Sequence, residues 1–167
     1  MKNSIISLLI LLMLSSCSSD DNIPTDISSY YFKPDSKITV STENNQTFAN
    51  IVNGQNLVFK FELNKTDNPD IQDDEYSERL IFEIDPSLTE FTYNAEDILQ
   101  ANAYFNQYCF CADTSSIPIN SGTIQGTKIS RDDWLIDLNI SFLINGKLQT
   151  RSFKEVFSNI VIFRQSY

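Results

Sequence analysis

The sequence contains no histidine among its 167 residues. Catalytic Ser-His-Asp and Cys-His groups need an imidazole base, and many zinc and copper sites use imidazole ligands. Those classes of hydrolase and metalloprotein are therefore excluded. Catalysis on this chain would have to rest on paired carboxylates, lysine, tyrosine or a hard metal ion held by oxygen ligands.

Basic residues are also scarce, since 12 Lys and Arg stand against 22 Asp and Glu, which gives a formal net charge of −10. A chain without a basic patch cannot displace the counterions of a phosphate backbone, so no nucleic-acid partner is expected. The same charge opposes electrostatic attachment to anionic lipids. It favours solubility and repulsion from an anionic cell surface.

The one extended apolar run is short and covers residues 5–14. Lys2 precedes it, and Ser15 and Ser16 lead from it to Cys17, which is the pattern of a lipobox at the end of a signal peptide. The run is too short to span about 30 Å of hydrocarbon. We expect residues 1–16 to be a lipoprotein signal peptide and Cys17 to carry acyl chains that hold the protein on a membrane. The alternative is an ordinary secretory signal followed by an unrelated cysteine.

The residues after Cys17 give a second targeting signal. Residues 18–21, Ser-Ser-Asp-Asp, resemble the export signal of surface lipoproteins of the Bacteroidota and indicate an outer-membrane lipoprotein that faces the cell exterior. The periplasmic face of that membrane is the alternative, because serine and aspartate are also common in disordered tethers. We expect residues 17–35 to be the lipidated cysteine with a flexible tether. Residues 36–167 are expected to form a single β-rich domain.

Two cysteines remain besides Cys17. Cys109 and Cys111 are separated by one residue, so on a strand they would share a face, with Cα atoms about 6.6 Å apart. That separation is at the upper limit for a disulfide. A local Cys109–Cys111 disulfide, or two buried thiols, is favoured over a redox or thiolate metal site, because two thiolates without further cysteine or histidine leave a zinc site incomplete.

Alternating apolar residues predict β-strands through most of the chain. From Trp134 to Ile144, six apolar residues stand at period two, so one face of this strand is expected in the core and the other in water. Asn145-Gly146 follows, a dipeptide typical of type I′ hairpin turns, and predicts a return strand over residues 148–152.

A second turn signal, Asn53-Gly54, predicts another hairpin between residues 48–52 and 57–63. The remaining expected strands are 37–41, 79–84, 123–129 and 157–163. Eight short strands with four glycines indicate an all-β fold. An antiparallel, Ig-like β-sandwich with a short helical connection is expected, and a lipocalin-like β-barrel is the alternative.

Residues 94–107 are ambiguous between helix and strand. Asn94 can cap a helix whose first turn holds Glu96 and Asp97 near the positive end of the helix dipole. Positions 99, 101, 103 and 105 are apolar and also alternate as in a strand. We expect one or two helical turns from Ala95 that connect parts of the sheet.

The most polar stretch of the domain, residues 64–78, lies between two expected strands and is expected to be a loop. Carboxylates close in sequence can coordinate Ca²⁺, which takes six to eight oxygen ligands. The spacing does not match an EF-hand loop, and no glycine supplies the sharp turn of that motif. A solvated acidic loop is the alternative, and calcium is the one cofactor considered. Its proposed ligands are Asp67, Asp70, Asp73, Asp74 and Glu75.

Four short sequence phrases lie at residues 54–59, 73–85, 109–111 and 122–126, the last ahead of Trp134. They read GQNLVF, DDEYSERLIFEID, CFC and GTIQG. In these phrases the chain resembles small flavobacterial lipoproteins of uncharacterised function. The resemblance covers about two-thirds of the chain after the signal peptide, and it implies a secreted β-rich domain without catalytic residues to transfer.

We therefore expect a non-enzymatic, lipid-anchored subunit that binds or assists a surface protein complex or a glycan-binding system. The chain has 7 tyrosines and 12 phenylalanines, and rings at edges or loops can stack on sugars. Trp134 is expected in the core rather than in a ligand platform, as are the phenylalanines at strand spacing: Phe59, Phe61, Phe82 and Phe142. The alternatives are a small carboxylate-based or calcium-dependent hydrolase, and a lipocalin-like carrier of small ligands.

Overall fold

The computed structural model describes residues 25–66, 75–109 and 115–160, and almost all of its regular structure is β. The strands are β1 (Ile27–Glu43), β2 (Gln46–Asn53), β3 (Asn56–Asn64), β4 (Tyr76–Ile84), β5 (Glu90–Tyr93), β6 (Tyr104–Cys109), β7 (Ile117–Pro118), β8 (Gly122–Lys128), β9 (Asp133–Ile144) and β10 (Lys147–Asn159). A 3₁₀ helix, Ile98–Ala101, lies between β5 and β6. Within these ranges no helix has the length and apolar character needed to cross a membrane.

The strands form one continuous sheet that curls into a half-barrel. Its order is β5-β8-β9-β10-β1-β3-β4-β6-β7, and β2 pairs with β1 outside this path. Every pair is antiparallel except β1 with β10, which is parallel. The all-β prediction is confirmed, and the expectation of wholly antiparallel pairing is corrected at this one pair. A half-barrel is intermediate between the sandwich and the barrel that the sequence suggested.

The hairpin of β9 and β10 follows the sequence prediction closely. Asn145 and Gly146 have φ of 50° and 75°, as a type I′ turn requires. Their strands pair from Ile144 with Lys147 to Asp133 with Ser158. The two strands expected at 148–152 and 157–163 are a single strand, β10, as far as Asn159. Residues 161–163 lie outside the described residues.

The predicted hairpin at Asn53-Gly54 is wrong. In the described sheet, β2 and β3 both pair antiparallel with β1, β2 along residues 36–43 and β3 along residues 27–36. They therefore follow one another as a nearly continuous strand opposite β1. The turn of this long hairpin is Asn44-Asn45, where both residues have positive φ, 50° and 64°.

Gly54 lies opposite a β-bulge of β1 and is not part of a hairpin turn. The register of β1 shifts between Lys33 and Ser36, and the amide of Gly54 donates to the carbonyl of Asp35 at 3.0 Å. A Cβ on Gly54 would lie 2.6 Å from the Cβ of Lys37, a separation that non-bonded carbons do not reach. A glycine is needed here because the two strands approach closely, and bulges of this kind bend the strands that carry them.

The first strand begins earlier than the predicted domain boundary. β1 starts at Ile27, inside the segment 17–35 that was assigned to a flexible tether. The reason is the aromatic sequence Tyr30-Tyr31-Phe32, which favours a strand and supplies packing area. The ring of Tyr30 stacks on Phe61 with centroids 5.2 Å apart. Residues 1–24, which contain the signal peptide and Cys17, lie outside the described residues.

The main core fills the concave side of the half-barrel with aromatic and aliphatic side chains. Phe59 stacks on Phe82 with centroids 4.9 Å apart and meets Trp134 edge to face at 5.6 Å. The expected core positions of Trp134, Phe59, Phe61, Phe82 and Phe142 are confirmed, because each side chain is buried. Other fully buried side chains of this core are Phe105, Phe157, Leu80, Ile84, Ile98, Ile119, Ile124, Ile136, Leu138 and Ile140.

A second, smaller cluster lies on the convex side. The far half of β1 and β2 covers β3 and β4 there, burying Ile38, Ala49, Val58 and Ile81 together. Side chains of the covered strands bond to the backbone of the covering hairpin. Arg79 Nη2 donates to the carbonyl of Ala49 at 2.9 Å. The hairpin of β1 and β2 is therefore held as a second layer over the sheet.

Residues 94–107 contain both of the structures between which the sequence was ambiguous. The amide of Glu96 donates to Asn94 Oδ1 at 3.1 Å, so Asn94 organises a turn, and one 3₁₀ helix follows at Ile98–Ala101. Asn102 ends it with φ of 43°. Strand β6 then begins at Tyr104. A strand here was the alternative that the sequence left open, whereas β5 and β7, with four and two residues, were not predicted because they are short.

We expect Gly122→Ala to destabilise the fold by roughly 1–3 kcal/mol, through overpacking in a site with φ of 116°. An added Cβ would overlap the carbonyl oxygen of Asn139 and lie 2.6 Å from the Cα of Ile140. Gly146→Ala is the matched control, since φ there is 75° but no atom lies within 4 Å. Urea denaturation of both variants checks this, and equal losses would contradict a role for the close approach.

Candidate functional site

A surface groove opens where β3 and β6 end and β4 begins. It has a volume of about 420 Å³ and is lined by Asn64, Lys65, Glu75, Tyr76, Ser77, Tyr108 and Cys109. Strand register brings these residues together, since Asn64 lies opposite Ser77 and Ser77 lies opposite Tyr108. We call it the tyrosine groove.

Tyr76 is fixed in the tyrosine groove at both ends of its side chain. The ammonium of Lys65 lies 4.8 Å from the centre of the Tyr76 ring, within the range of a cation–π contact. The hydroxyl donates to Glu78 Oε1 at 2.6 Å. Burial, followed by the hydrogen bond to Glu78 and its negative charge, raises the pKa of Tyr76 to about 12. Tyr76 is therefore a neutral hydrogen-bond donor at physiological pH.

Tyr108 is the more exposed of the two rings, with 39% of its surface accessible. The guanidinium carbon of Arg79 lies 5.6 Å from its ring centre. Arg79 is itself held in place, because Nη2 donates to Asn106 Oδ1 and to the carbonyl of Ala49, each at 2.9 Å. A fixed cation therefore supports Tyr108 from the convex face of the sheet.

Beneath Tyr76, a buried ion pair joins two strands that are not neighbours in the sheet. Glu78 on β4 is 3% exposed, and Arg151 on β10 donates Nε to Oε2 at 2.6 Å and Nη2 to Oε1. The guanidinium of Arg151 also lies over the ring of Phe105, 5.6 Å from its centre. The pair crosses the inside of the half-barrel at the end where the tyrosine groove opens.

The pKa of Glu78 suits a structural role. Burial acts to raise its pKa, but hydrogen bonds from Arg151 and Tyr76 and the charge of Arg151 outweigh burial, so the pKa of Glu78 lies below its ordinary value. A general acid needs the opposite shift. Glu78 is thus suited to fixing Tyr76 and Arg151, rather than to donating a proton.

The predicted calcium ligands fall mainly outside the described residues. Asp67, Asp70, Asp73 and Asp74 belong to the gap between residues 66 and 75. Glu75 is described; it is exposed and lines the tyrosine groove. Across residues 25–66, 75–109 and 115–160, no three Cys, Asp or Glu side chains are grouped closely enough to hold a metal ion. The calcium site stays a prediction.

Cys109 ends β6 beside Tyr108 and is disulfide-bonded. Gln107 Nε2 donates to its sulfur at 3.2 Å. Both other cysteines, Cys17 and Cys111, lie outside the described residues, so the pairing of Cys109 with Cys111 stays a prediction.

A second groove of about 480 Å³ crosses the convex face of β5, β8, β9 and β10. Its floor holds a row of register partners in which Thr92 lies opposite Gln125, Gln125 opposite Asp137 and Asp137 opposite Lys154. Lys154 and Asp137 form an ion pair at 3.1 Å. This groove is larger but has no exposed aromatic ring among its lining residues, so it offers a ligand hydrogen bonds without a stacking surface.

The sequence indicated part of the tyrosine groove. Glu75 was proposed as a ligand and Cys109 as part of a disulfide, whereas Tyr76, Tyr108 and Arg151 were assigned no role. Each tyrosine stands next to one of these residues in sequence, which is the signal that could have drawn attention to it. Their meeting depends on the pairing of β4 with β6, which neither segment encodes alone.

Comparisons of this chain with protein-family models, with curated proteins and with solved structures give no match, so the case for its function rests on its own residues and geometry.

Proposed function

We propose that this protein is a lipid-anchored, non-enzymatic lipoprotein of the outer membrane, directed to the cell surface, whose β-domain binds a glycan in the tyrosine groove. It would act as the binding or accessory subunit of a surface complex. The observation that carries the proposal is the pair of tyrosines, Tyr76 and Tyr108, each set beside a cation in a groove that also holds an amide and a carboxylate.

These groups suit a sugar for simple chemical reasons. The apolar C–H faces of a pyranose pack on aromatic rings, while its hydroxyls pair with amide, carboxylate and ammonium groups. Tyr76 lies opposite Cys109 and Tyr108 lies opposite Ser77, so the two tyrosines point to opposite faces of the sheet and border the tyrosine groove from its two sides. Asn64, Glu75 and Lys65 also line the groove. Because Tyr76 and Arg79 are held by hydrogen bonds, little ordering entropy is lost on binding.

The membrane part of the proposal rests on the lipobox. At about 0.8 kcal/mol for each buried CH₂, two or three acyl chains on Cys17 hold a protein on a membrane without any spanning helix. The net charge of −10 makes the acyl chains, rather than basic residues, the means of attachment.

The two competing functions receive less support from the described residues. A lipocalin-like carrier needs a hollow interior, whereas the concave side of this sheet is packed with the rings of Phe59, Phe82, Phe105 and Trp134. A carboxylate hydrolase is best served by an acid of raised pKa, whereas the pKa of the buried Glu78 is lowered.

The test is a panel of soluble saccharides presented to the purified mature protein. We expect a subset to bind, and Tyr108→Ala to weaken that binding roughly twofold to tenfold, as expected for loss of about 0.5–1.5 kcal/mol of stacking. Tyr31→Ala is the matched control, because Tyr31 also carries a cation over its ring, Lys60 at 5.2 Å, but does not line the groove. If no saccharide binds, or if both variants lose equally, the glycan assignment is wrong.

A further inference from the structure

The tyrosine groove lies beside the point where the tether enters the domain. Ile27, the first residue of β1, is the register partner of Asn64, which lines the groove. The amide of Thr66 donates to Asp26 Oδ1 at 3.2 Å, so the chain before β1 contacts the residue that follows Lys65. Paired strands are about 4.8 Å apart, and the groove therefore begins one strand away from the tether.

The length of the tether limits how far this end of the domain can be from the membrane. Nine residues, 18–26, separate Cys17 from Ile27. At about 3.3–3.6 Å for each fully extended residue, they reach roughly 30 Å. If Cys17 carries the anchor, the tyrosine groove belongs to the end of the domain that stays near the lipid.

We propose that the ligand of the tyrosine groove is the neutral saccharide headgroup of a glycolipid in the same membrane, an inference that rests on the proposed glycan binding. Among the lining residues, one ammonium, Lys65, is matched by one carboxylate, Glu75, so the groove suits an uncharged sugar better than a phosphate. A ligand confined to the same membrane surface has a millimolar effective concentration at the groove, so a low affinity of the groove for the sugar is sufficient.

The experiment uses the lipidated mature protein on vesicles made from the total lipid extract of the producing cells. Hydrogen–deuterium exchange is followed in peptides covering residues 75–79 and 104–109. We expect slower exchange on these vesicles than on vesicles of the same extract treated with periodate, which cleaves the vicinal diols of sugars. Oligosaccharides released from the same glycolipids should require a total sugar concentration on the order of 10²-fold higher for equal protection. Tyr108→Ala should reduce the protection, and Tyr31→Ala should leave it unchanged.

Three outcomes would overturn the inference. Equal protection by free oligosaccharides at the same sugar concentration would make the ligand a soluble glycan. Equal protection on periodate-treated vesicles would show contact with lipid instead of sugar. Absence of protection on every vesicle would refute a ligand in the same membrane, while the panel of soluble saccharides decides separately whether the groove binds glycans at all.

Discussion

Arg151→Met should lower the free energy of unfolding by about 3 kcal/mol, because it leaves the carboxylate of Glu78 buried without its partner. Removing one member of a buried ion pair costs about 3–5 kcal/mol, and the 28% exposure of Arg151 places this case at the lower end. Glu78 is 3% exposed and cannot turn to water without moving β4. The hydroxyl of Tyr76 would remain as its partner.

The same pair predicts the response of wild-type stability to acid. The pKa of Glu78 is lower in the folded protein than in the unfolded chain, so the unfolded state binds the proton more readily. The stabilisation is therefore present above the ordinary glutamate pKa of 4.5 and is lost as the pH falls through the lower folded value. Glu78→Gln should remove this part of the acid dependence. Urea denaturation at neutral and acidic pH measures both effects.

Two further variants distinguish the loss of the Glu78–Arg151 ion pair from a general effect of substitutions in β10. Lys154 lies on the same strand as Arg151 and forms an exposed ion pair with Asp137 of β9. Lys154→Met breaks this pair and should cost less than about 1 kcal/mol. The double variant Arg151→Met with Glu78→Leu removes both charges and should recover much of the loss. If Lys154→Met proves as costly as Arg151→Met, or if the double variant is the least stable of all, the buried carboxylate is not the cause.

Trp134→Ala should cost about 3–5 kcal/mol and could unfold the domain, since a fully buried aromatic side chain is removed from the centre of the core. Trp134 meets Phe59 at 5.6 Å and Phe91 at 6.0 Å between ring centroids, so its loss opens a space that rigid rings cannot fill. The indole Nε1 has no hydrogen-bond partner among the described residues. Trp134→Phe should therefore cost less, because it keeps a ring and removes an unpaired N–H.

Circular dichroism during thermal and urea unfolding measures these variants, because Trp134 is the one tryptophan and its fluorescence is lost with it. Leu143→Ala is the control on the same strand, since Leu143 is 59% exposed and its truncation should change stability by no more than about 0.5 kcal/mol. A Trp134→Ala protein as stable as Leu143→Ala would refute a central role for the indole.

Local signals were sufficient wherever the structure depends on neighbours in sequence. The alternation from Trp134 to Ile144 predicted β9, its buried face and its turn, because side chains of a strand alternate and a type I′ turn selects its own residues. The burial of Phe59 and Phe82 followed from the same periodicity. These features use information that lies within a dozen residues.

The same kind of signal failed where the meaning of a residue depends on the strand opposite. Asn53-Gly54 has the composition of a hairpin turn, but Gly54 is needed because Lys37 approaches its Cα. Asn44-Asn45 makes the turn instead. The early start of β1 was missed for a similar reason, since Tyr30 stabilises this part of the strand by stacking on Phe61 of another strand.

By itself the sequence determined the all-β class, most strands, the core residues and the expectation of a lipid anchor at Cys17. Tertiary structure decided that Tyr76 and Tyr108 line one groove and that Glu78 pairs with Arg151, 73 residues away. Periodicity records which face of a strand is buried, but it carries no information about which strand lies beside it. Strand order and curl are selected by the packing of the whole core, and the tyrosine groove exists because that packing brings three strand ends together.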